Sequence, residues 1–156
     1  MNEKISELYI NPVIDEDGNK FWYNEQGKRH REDGPAVEHC SGAKEYWLNG
    51  LLHREDGPAI ENIFGYKWWF LNGLEHREDG PAHEYNGTEK WYLNGKLHRE
   101  DGPAVVSPYH KGWWLNDKLH RTDGPAIEMA DGDKEWWLNG QRHSESKYKK
   151  LMLGVK

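Results

Sequence analysis

The chain has 156 residues, the size of one ordinary domain or of a short repeat array. It carries 21 basic and 27 acidic residues, a net charge of −6, and its single cysteine excludes an internal disulfide framework. No apolar run reaches the ~18–20 residues that cross a bilayer, and the N-terminus lacks the apolar segment of a secretory signal, so we expect a soluble, cytoplasmic protein.

Aromatic rings compensate for a scarcity of aliphatic side chains. Leu, Ile, Val and Phe together number 27, about 17% of the chain, a level at which charged chains usually stay disordered. The 9 Trp and 8 Tyr residues add large apolar side chains. We therefore expect a core built mainly from aromatic rings.

A short repeat dominates the sequence and sets the predicted domain organisation. The string HRxDGPA occurs five times, beginning at His30, His53, His76, His98 and His120 at intervals of 22 or 23 residues. A shortened sixth copy, HSES, begins at His143. Residues 1–11 are predicted to be an N-terminal cap or tail, residues 12–143 a repeat array of five full units plus terminal half-units, and residues 144–156 a basic C-terminal tail or cap. Whether these ends are helical or disordered stays open.

Each repeat is predicted to hold about three short strands and no helix. An aromatic pair precedes Leu-Asn-Gly in most units, and Asn-Gly tolerates the positive φ at both positions that a type I′ hairpin turn requires. Asp-Gly-Pro then predicts a sharp reversal into another short strand. The predicted fold class is all-β, with a repeat array of hairpins forming a single elongated, curved sheet.

The distribution of charge argues against two classes of partner. The last ten residues, KYKKLMLGVK, contain four lysines and no acid, so the rest of the chain carries about −10. Nucleic acids and anionic membranes attract basic surfaces. We therefore expect neither a nucleic acid nor a membrane as partner.

The repeat resembles the MORN family, which is built from β-hairpins of about this length. The residues that carry the resemblance in the second unit are Trp47, Asn49, Gly50, His53, Gly57 and Ile60. It covers roughly residues 20–143, and it differs from the family pattern in the Arg-Glu-Asp between His53 and Gly57 and in the proline that follows. The resemblance implies an interaction and assembly module, of a variant kind seen in bacterial and phage reading frames.

The aromatic pairs form two columns that strand alternation places on opposite faces. The first column comprises Trp22, Tyr46, Trp69, Trp91, Trp113 and Trp136; the second comprises Tyr23, Trp47, Phe70, Tyr92, Trp114 and Trp137. The first column shares its face with leucines, and we expect that face to be the core. We expect the second to be an exposed binding face with arginines over its rings. The reverse assignment stays open. The predicted binding residues are Tyr23, Trp47, Trp68, Phe70, Tyr92, Trp114 and Trp137, together with Arg54, Arg77, Arg99 and Arg121.

The recurring His, Arg and Asp are interpreted as structural, because a residue repeated in every unit normally builds the unit. Equivalent histidines in successive hairpins would lie about 9–10 Å apart, too far to share a zinc ion. The sequence contains no CxxC, GxSxG or glycine-rich phosphate loop. We therefore predict no metal, no cofactor and no enzymatic activity.

These features predict a non-catalytic protein-binding module: a scaffold, adaptor or inhibitor, such as a phage protein acting on a host protein. The alternative is a small-molecule or nucleotide binder, a sponge with repeated aromatic and arginine pockets. Self-association through the aromatic face is a further possibility. Departures from the repeat leave open a local binding site, and they include His83, Tyr85, Tyr109 and His110.

Overall fold

The chain folds into two compact units, each built from repeated β-hairpins. The structure, a computed structural model, describes residues 11–154, and the units divide between Glu75 and His76. We call them the N-terminal and C-terminal units. The predicted all-β repeat of antiparallel hairpins is confirmed. The predicted N-terminal cap or tail lies, apart from Asn11, outside the described residues.

The N-terminal unit contains ten short strands. These are β1 (Val13–Ile14), β2 (Lys20–Phe21), β3 (Val37–Glu38), β4 (Lys44–Glu45), β5 (Trp47–Leu48), β6 (Leu51–Leu52), β7 (Ile60–Glu61), β8 (Lys67–Trp68), β9 (Phe70–Leu71) and β10 (Leu74–Glu75). Six of them pair side by side in the order β1-β2-β3-β4-β7-β8. The other four form two separate hairpins, β5 with β6 and β9 with β10.

The C-terminal unit repeats this plan and adds a helix. Its elements are β11 (His83–Tyr85), β12 (Thr88–Lys90), β13 (Tyr92–Leu93), β14 (Lys96–Leu97), β15 (Val105–Val106), β16 (His110–Gly112), β17 (Trp114–Leu115), β18 (Lys118–Leu119), β19 (Ile127–Met129), β20 (Lys134–Leu138), β21 (Gln141–His143) and α1 (Glu145–Met152). Seven strands pair in the order β11-β12-β15-β16-β19-β20-β21. The separate hairpins pair β13 with β14 and β17 with β18.

The predicted two-residue turns are present in the hairpins. Asn49 and Gly50 have φ of 52° and 83°, as a type I′ turn requires. The variant turn Asn116–Asp117 adopts the same conformation, with φ of 49° and 62°. Asp117 also accepts a hydrogen bond from the Leu97 amide through Oδ1 at 2.9 Å. This hydrogen bond to the preceding hairpin helps to hold Asp117 in the left-handed region, which is strained for a residue other than glycine.

The chain leaves the main sheet at the first ring of the aromatic pair. In the second repeat the Tyr46 amide donates to the Ala59 carbonyl at 2.7 Å, and the Tyr46 carbonyl accepts from the His53 amide at 3.0 Å. Tyr46 therefore joins a sheet strand to a separate hairpin. This repeat has four short strands, β4 to β7, rather than the three predicted. Only the last pair, Trp136–Trp137, lies within one continuous strand among the described residues.

Successive hairpins within a unit are also hydrogen-bonded to one another. In the N-terminal unit, the Arg54 amide donates to the Phe70 carbonyl at 3.0 Å and the Gly73 amide to the Leu52 carbonyl at 2.8 Å. In the C-terminal unit, the Arg99 amide donates to the Trp114 carbonyl at 3.1 Å. Each hairpin is thus fixed in register by its neighbour.

A column of alanines forms the most deeply buried part of the fold. The alanine of every DGPA segment has no exposed surface: Ala36, Ala59, Ala82, Ala104 and Ala126. The next residue points to the same interior in two repeats, because Val37 is fully buried and Val105 is 7% exposed. Among the rings of the six aromatic pairs, Trp22 and Phe70 are buried and the others are half-buried. The core is therefore less aromatic than the composition predicts.

Helix α1 closes the C-terminal end of the second unit. Ser144 caps it by accepting a hydrogen bond from the Lys147 amide through Oγ at 3.3 Å. Its one buried residue is Tyr148, which is 3% exposed. In the described part of the chain, no helix is both long and apolar enough to cross a bilayer.

We expect that enlarging a residue of the alanine column will destabilise the fold. Ala104→Leu should lower the free energy of unfolding by about 1–3 kcal/mol, because a fully buried site without spare volume must shift its neighbours. The matched control is Ala130→Leu at an exposed alanine, with an expected change within about 0.5 kcal/mol. Urea denaturation measures both values, and equal losses would contradict the placement of the core.

Candidate functional site

Each unit contains an open cleft between two successive copies of the HRxDG segment. We call the segment from its histidine to the following proline the HRxDG loop; the loops span residues 30–35, 53–58, 76–81, 98–103 and 120–125. The N-terminal cleft, about 710 Å³, is lined by the first two loops with Tyr46 and Leu48. The C-terminal cleft, about 580 Å³, is lined by the third and fourth loops with Trp91 and Leu93. The two clefts are therefore built from equivalent residues.

Four of the loop arginines cover the first-column ring of their own repeat. The guanidinium carbon of Arg54 lies 3.9 Å from the centre of the Tyr46 ring, and that of Arg121 lies 3.8 Å from the Trp113 ring. Arg31 and Arg99 take the same position over Trp22 and Trp91, at 4.2 and 4.1 Å. The arginines were expected over the second column, and the structure places these four over the first.

The same guanidinium closes its own loop. Arg54 donates through Nε to the Asp56 carboxylate at 2.8 Å and through one terminal nitrogen to the Pro58 carbonyl at 3.2 Å. The hydrogen bond and charge of Arg54 hold the pKa of Asp56 below its ordinary value. The corresponding contacts recur in the other four loops. This geometry confirms a structural role for the recurring arginine and aspartate.

The glycine of the loop leaves room for this arginine, and it does not adopt the left-handed backbone conformation that favours glycine. None of the glycines in the five described HRxDG loops has a positive φ. A Cβ added to Gly57 would lie 2.9 Å from the guanidinium carbon of Arg54, and one added to Gly124 would lie 2.8 Å from that of Arg121. Glycine thus allows the guanidinium to pack against the backbone.

Four of the five loop histidines hold the next hairpin: His30, His53, His76 and His120. His30 Nδ1 accepts a hydrogen bond from the Asn49 amide at 3.0 Å, and His120 Nδ1 accepts one from the Asn139 amide at 3.1 Å. The donor in each case is the asparagine that begins the hairpin turn of the following repeat. His98 differs, because its Nδ1 is buried and accepts no such bond.

The clefts are acidic despite their arginines. Two arginines and four carboxylates line the N-terminal cleft, so its lining carries a net charge of −2 when His53 is neutral. Glu32 and Glu55 at this cleft are more than 80% exposed, as are Glu78 and Glu100 at the other. Each cleft therefore combines an apolar ring and a leucine with an exposed acidic rim.

The second-column rings lie away from these clefts. Phe70 is 8% exposed, and its ring centre lies 4.9 Å from that of Trp68. Tyr23, Trp47, Tyr92, Trp114 and Trp137 are half-buried. The predicted binding residues that do line the clefts are Arg54 in the N-terminal unit and Arg77 and Arg99 in the C-terminal unit.

Two second-column tryptophans donate an indole hydrogen bond to the glutamate two positions earlier in the sequence. Trp47 donates its Nε1–H to Glu45 at 2.7 Å, and Trp137 donates to Glu135 at 2.8 Å. The Trp114 indole nitrogen instead lies 2.8 Å from where a Cβ on Gly112 would be. Trp68, which lies outside both columns, donates its indole N–H to Glu75 at 2.8 Å. These contacts give the tryptophans of the second column a packing role.

Sequence reasoning missed the first-column rings and the leucines as cleft residues. Tyr46 and Leu48 lie on the face that was expected to be the core, and they line a cleft because the chain leaves the main sheet at Tyr46. The single cysteine and the histidine next to it in the sequence lie outside the clefts. His39 pairs through Nε2 with Glu45 at 2.9 Å, and Cys40 is exposed. Across residues 11–154, no group of three or more His, Cys, Asp or Glu side chains is placed to hold a metal ion.

The equivalent space beside the last loop is filled by helix α1. The Tyr148 hydroxyl donates to the Arg121 carbonyl at 2.9 Å and accepts from the Gly124 amide at 3.2 Å. The Tyr148 ring centre lies 4.8 Å from that of Trp136. Burial raises the pKa of Tyr148, so its hydroxyl keeps the proton that it donates.

Comparison with known proteins adds no relative: no protein-family model matches the chain, and no curated protein shows significant similarity to it. The repeated antiparallel hairpins are compatible with a MORN-like repeat.

We expect Arg54→Ala to destabilise the fold by about 1–3 kcal/mol, because it removes charge-assisted hydrogen bonds and uncovers the Tyr46 ring. Arg54→Lys should recover only part of this loss, since an ammonium lacks the planar fork that reaches Asp56 and Pro58 together. The control is Arg142→Ala, whose exposed side chain pairs with Glu135 at 3.1 Å and should matter by less than about 0.5 kcal/mol. Thermal melts of the three variants test this order, and an Arg54→Lys variant as stable as the parent would refute it.

His83 makes the stability of the C-terminal unit depend on pH. It occupies the position of Val37 and Val105, and burial, followed by the charge of Lys90, lowers its pKa from 6.5. The unfolded chain therefore takes up a proton near pH 6.5 that the folded chain takes up only at lower pH, so stability falls as pH drops below 6.5. His83→Val should remove this loss. Urea denaturation of both proteins at about pH 8 and about pH 5 measures it, and identical pH dependences would contradict the assignment.

Proposed function

We propose that this protein is a non-catalytic repeat module that binds a protein partner, acting as a scaffold, adaptor or inhibitor. The observation that carries the proposal is the recurrence of an open cleft between successive HRxDG loops, with equivalent linings in both units. The recurring Arg, His and Asp side chains are engaged in building the loops and hairpins. The surface left open between the loops is therefore a recognition surface.

The chemistry of the clefts defines the partner. An apolar floor of Tyr46 and Leu48 beside four carboxylates suits a side chain that combines an apolar body with basic neighbours. Protein surfaces supply such combinations in the form of tyrosine, lysine and arginine. The proposal keeps the predicted role and moves the contact surface from the second column to the first.

The absence of catalysis is part of the proposal. An active site generally needs one distinctive set of groups, whereas the clefts repeat the same residues. The MORN-like hairpins support the same role, since that resemblance implies interaction modules. We place the protein in the cytoplasm, as a variant MORN-like array of the kind found in bacterial or phage reading frames.

The alternative of a nucleotide sponge is less favoured by the cleft geometry. Phosphate recognition needs unpaired cationic groups. The Arg54 guanidinium is instead committed to Asp56, the Pro58 carbonyl and the Tyr46 ring, and the lining is net negative. A protein partner with basic side chains fits this charge better.

Reversal of the cleft charges tests the proposal. We expect a variant with Glu32, Glu55, Glu78 and Glu100 all changed to lysine to bind its partner at least about tenfold more weakly. This corresponds to a loss of about 1.4 kcal/mol or more of binding free energy. Affinity capture from the source cells, followed by native mass spectrometry, measures partner identity and stoichiometry.

The matched control changes net charge equally at exposed acids outside the clefts: Glu16, Asp17, Glu89 and Asp133 to lysine. It should retain the partner. Equal loss in both variants would mean that only overall charge matters. Small adducts of nucleotide mass on the native protein would support the sponge, and a bare dimer would indicate self-association.

A further inference from the structure

The filled space at the C-terminal end shows what an HRxDG cleft accepts. Tyr148 places its ring against Trp136 and its hydroxyl between the Arg121 carbonyl and the Gly124 amide. Its side chain is almost completely buried, at 3% exposed. A tyrosine on a helix therefore fits between the backbone of an HRxDG loop and the first-column ring of the following repeat.

The N-terminal cleft contains the same set of positions. Arg31, Gly34 and Tyr46 each lie 90 residues before Arg121, Gly124 and Trp136 in the sequence. Leu48 and His53 precede Leu138 and His143 by the same interval. The wall, the ring and the leucine are thus equivalent, and the cleft between the two loops is open. The N-terminal cleft differs in having Arg54, which covers the Tyr46 ring, at the position of Ser144.

The hydrogen-bonding atoms that Tyr148 uses are available in the N-terminal cleft. Among the hydrogen bonds of residues 11–154, none involves the Gly34 amide or the Arg31 carbonyl. The arginine on the far side of the cleft does not occupy them, because the hydrogen bonds of the Arg54 side chain go to Asp56 and Pro58 in its own loop. A donor and an acceptor therefore face an open, partly apolar space.

Charge complementarity points to the same kind of occupant. Helix α1 carries Lys147, Lys149 and Lys150 beside Tyr148. The rims of the open clefts carry two glutamates and two aspartates each. In the filled space the chain has Thr122, Ser144 and Ser146 where the N-terminal cleft has Glu32, Arg54 and Asp56, so the open cleft has two more carboxylates and one more guanidinium, a net difference of one negative charge.

We propose that the open clefts bind a helical segment of the partner that carries a tyrosine flanked by lysines. The tyrosine ring lies beside Tyr46 and the Arg54 guanidinium that covers it in the N-terminal cleft, or beside Trp91 and Arg99 in the C-terminal cleft. In the N-terminal cleft its hydroxyl donates to the Arg31 carbonyl and accepts from the Gly34 amide, and in the C-terminal cleft it accepts from the Gly80 amide. This inference rests on the proposed protein-binding function and names the recognition element for it.

The probe is the chain's own helix as a peptide, residues 144–154, SESKYKKLMLG. A lactam between Glu145 and Lys149, which already pair at 2.7 Å, keeps it helical. It is titrated into the full-length, 15N-labelled protein, and the amide signals of Gly34, Gly80 and Gly124 are followed by NMR. We expect Gly34 and Gly80 to shift, while Gly124, already bonded to Tyr148, does not.

Two matched comparisons sharpen the experiment. A peptide with Tyr148→Phe should bind about 2- to 10-fold more weakly, the effect of losing a net hydrogen bond. In the Tyr148→Ala protein we expect helix α1 to detach from the last loop, because Tyr148 is its one buried residue, and the original peptide should then shift Gly124 as well. The titration of the unaltered protein does not depend on that variant remaining folded.

The proposal is overturned if the peptide shifts Gly124 of the Tyr148→Ala protein but neither Gly34 nor Gly80, or if it shifts none of the three amides. Equal affinity of the Tyr and Phe peptides would refute the role of the hydroxyl. Either result would leave partner capture by the full protein intact, so failure of this inference is distinguishable from failure of the proposed function.

Discussion

The structure depends on the contact between one guanidinium and four different groups. In each HRxDG loop an arginine binds an aspartate, reaches a proline carbonyl and packs beside a glycine, as Arg54 does. Four of these arginines also lie over a first-column ring: Arg31, Arg54, Arg99 and Arg121. A planar guanidinium can satisfy these contacts together, because its donors lie at the edge and its face remains free to stack. This contact fixes the loop that delivers the next alanine to the core. It also shapes the wall of each cleft, because Arg31 and Arg54 line the N-terminal cleft and Arg77 and Arg99 the C-terminal one.

The repeat, the Asn-Gly turns and the all-β class could be predicted because they depend on local sequence and on periodicity. The positive φ of Asn49 and Gly50 follows from residue type alone. The faces of the aromatic columns could not be predicted, because alternation assumes a continuous strand, and the chain bends out of the sheet at Tyr46. The alanine column was overlooked because alanine is small, although its recurrence in five identical contexts was a usable signal. The contact between Tyr148 and Trp136 could not be predicted either, because Tyr148 lies outside the repeat and no sequence spacing relates the two residues.

Departures from the repeat are accommodated by local contacts. Where Gly112 replaces the glutamate seen at Glu45, the Trp114 indole occupies the space that a side chain would need. Where Asp117 replaces the turn glycine, its carboxylate accepts a hydrogen bond from the preceding hairpin. In both cases the neighbouring residues keep the conformation of the repeat. The glutamates of the acidic rims differ in this respect, because they are more than 80% exposed.

The bonds between neighbouring hairpins have a consequence for how such a chain changes length. The Arg54 and Gly73 amides reach only the adjacent hairpin, so no bond between hairpins spans a whole repeat in the described part of the N-terminal unit. In an array whose repeats contact only their neighbours, an internal repeat can be gained or lost without changes in the other repeats. Duplication of one 22- or 23-residue segment would add one cleft in a single genetic step. Helix α1, by contrast, stands where the next loop would begin, so growth of the array is restricted to positions before Ser144.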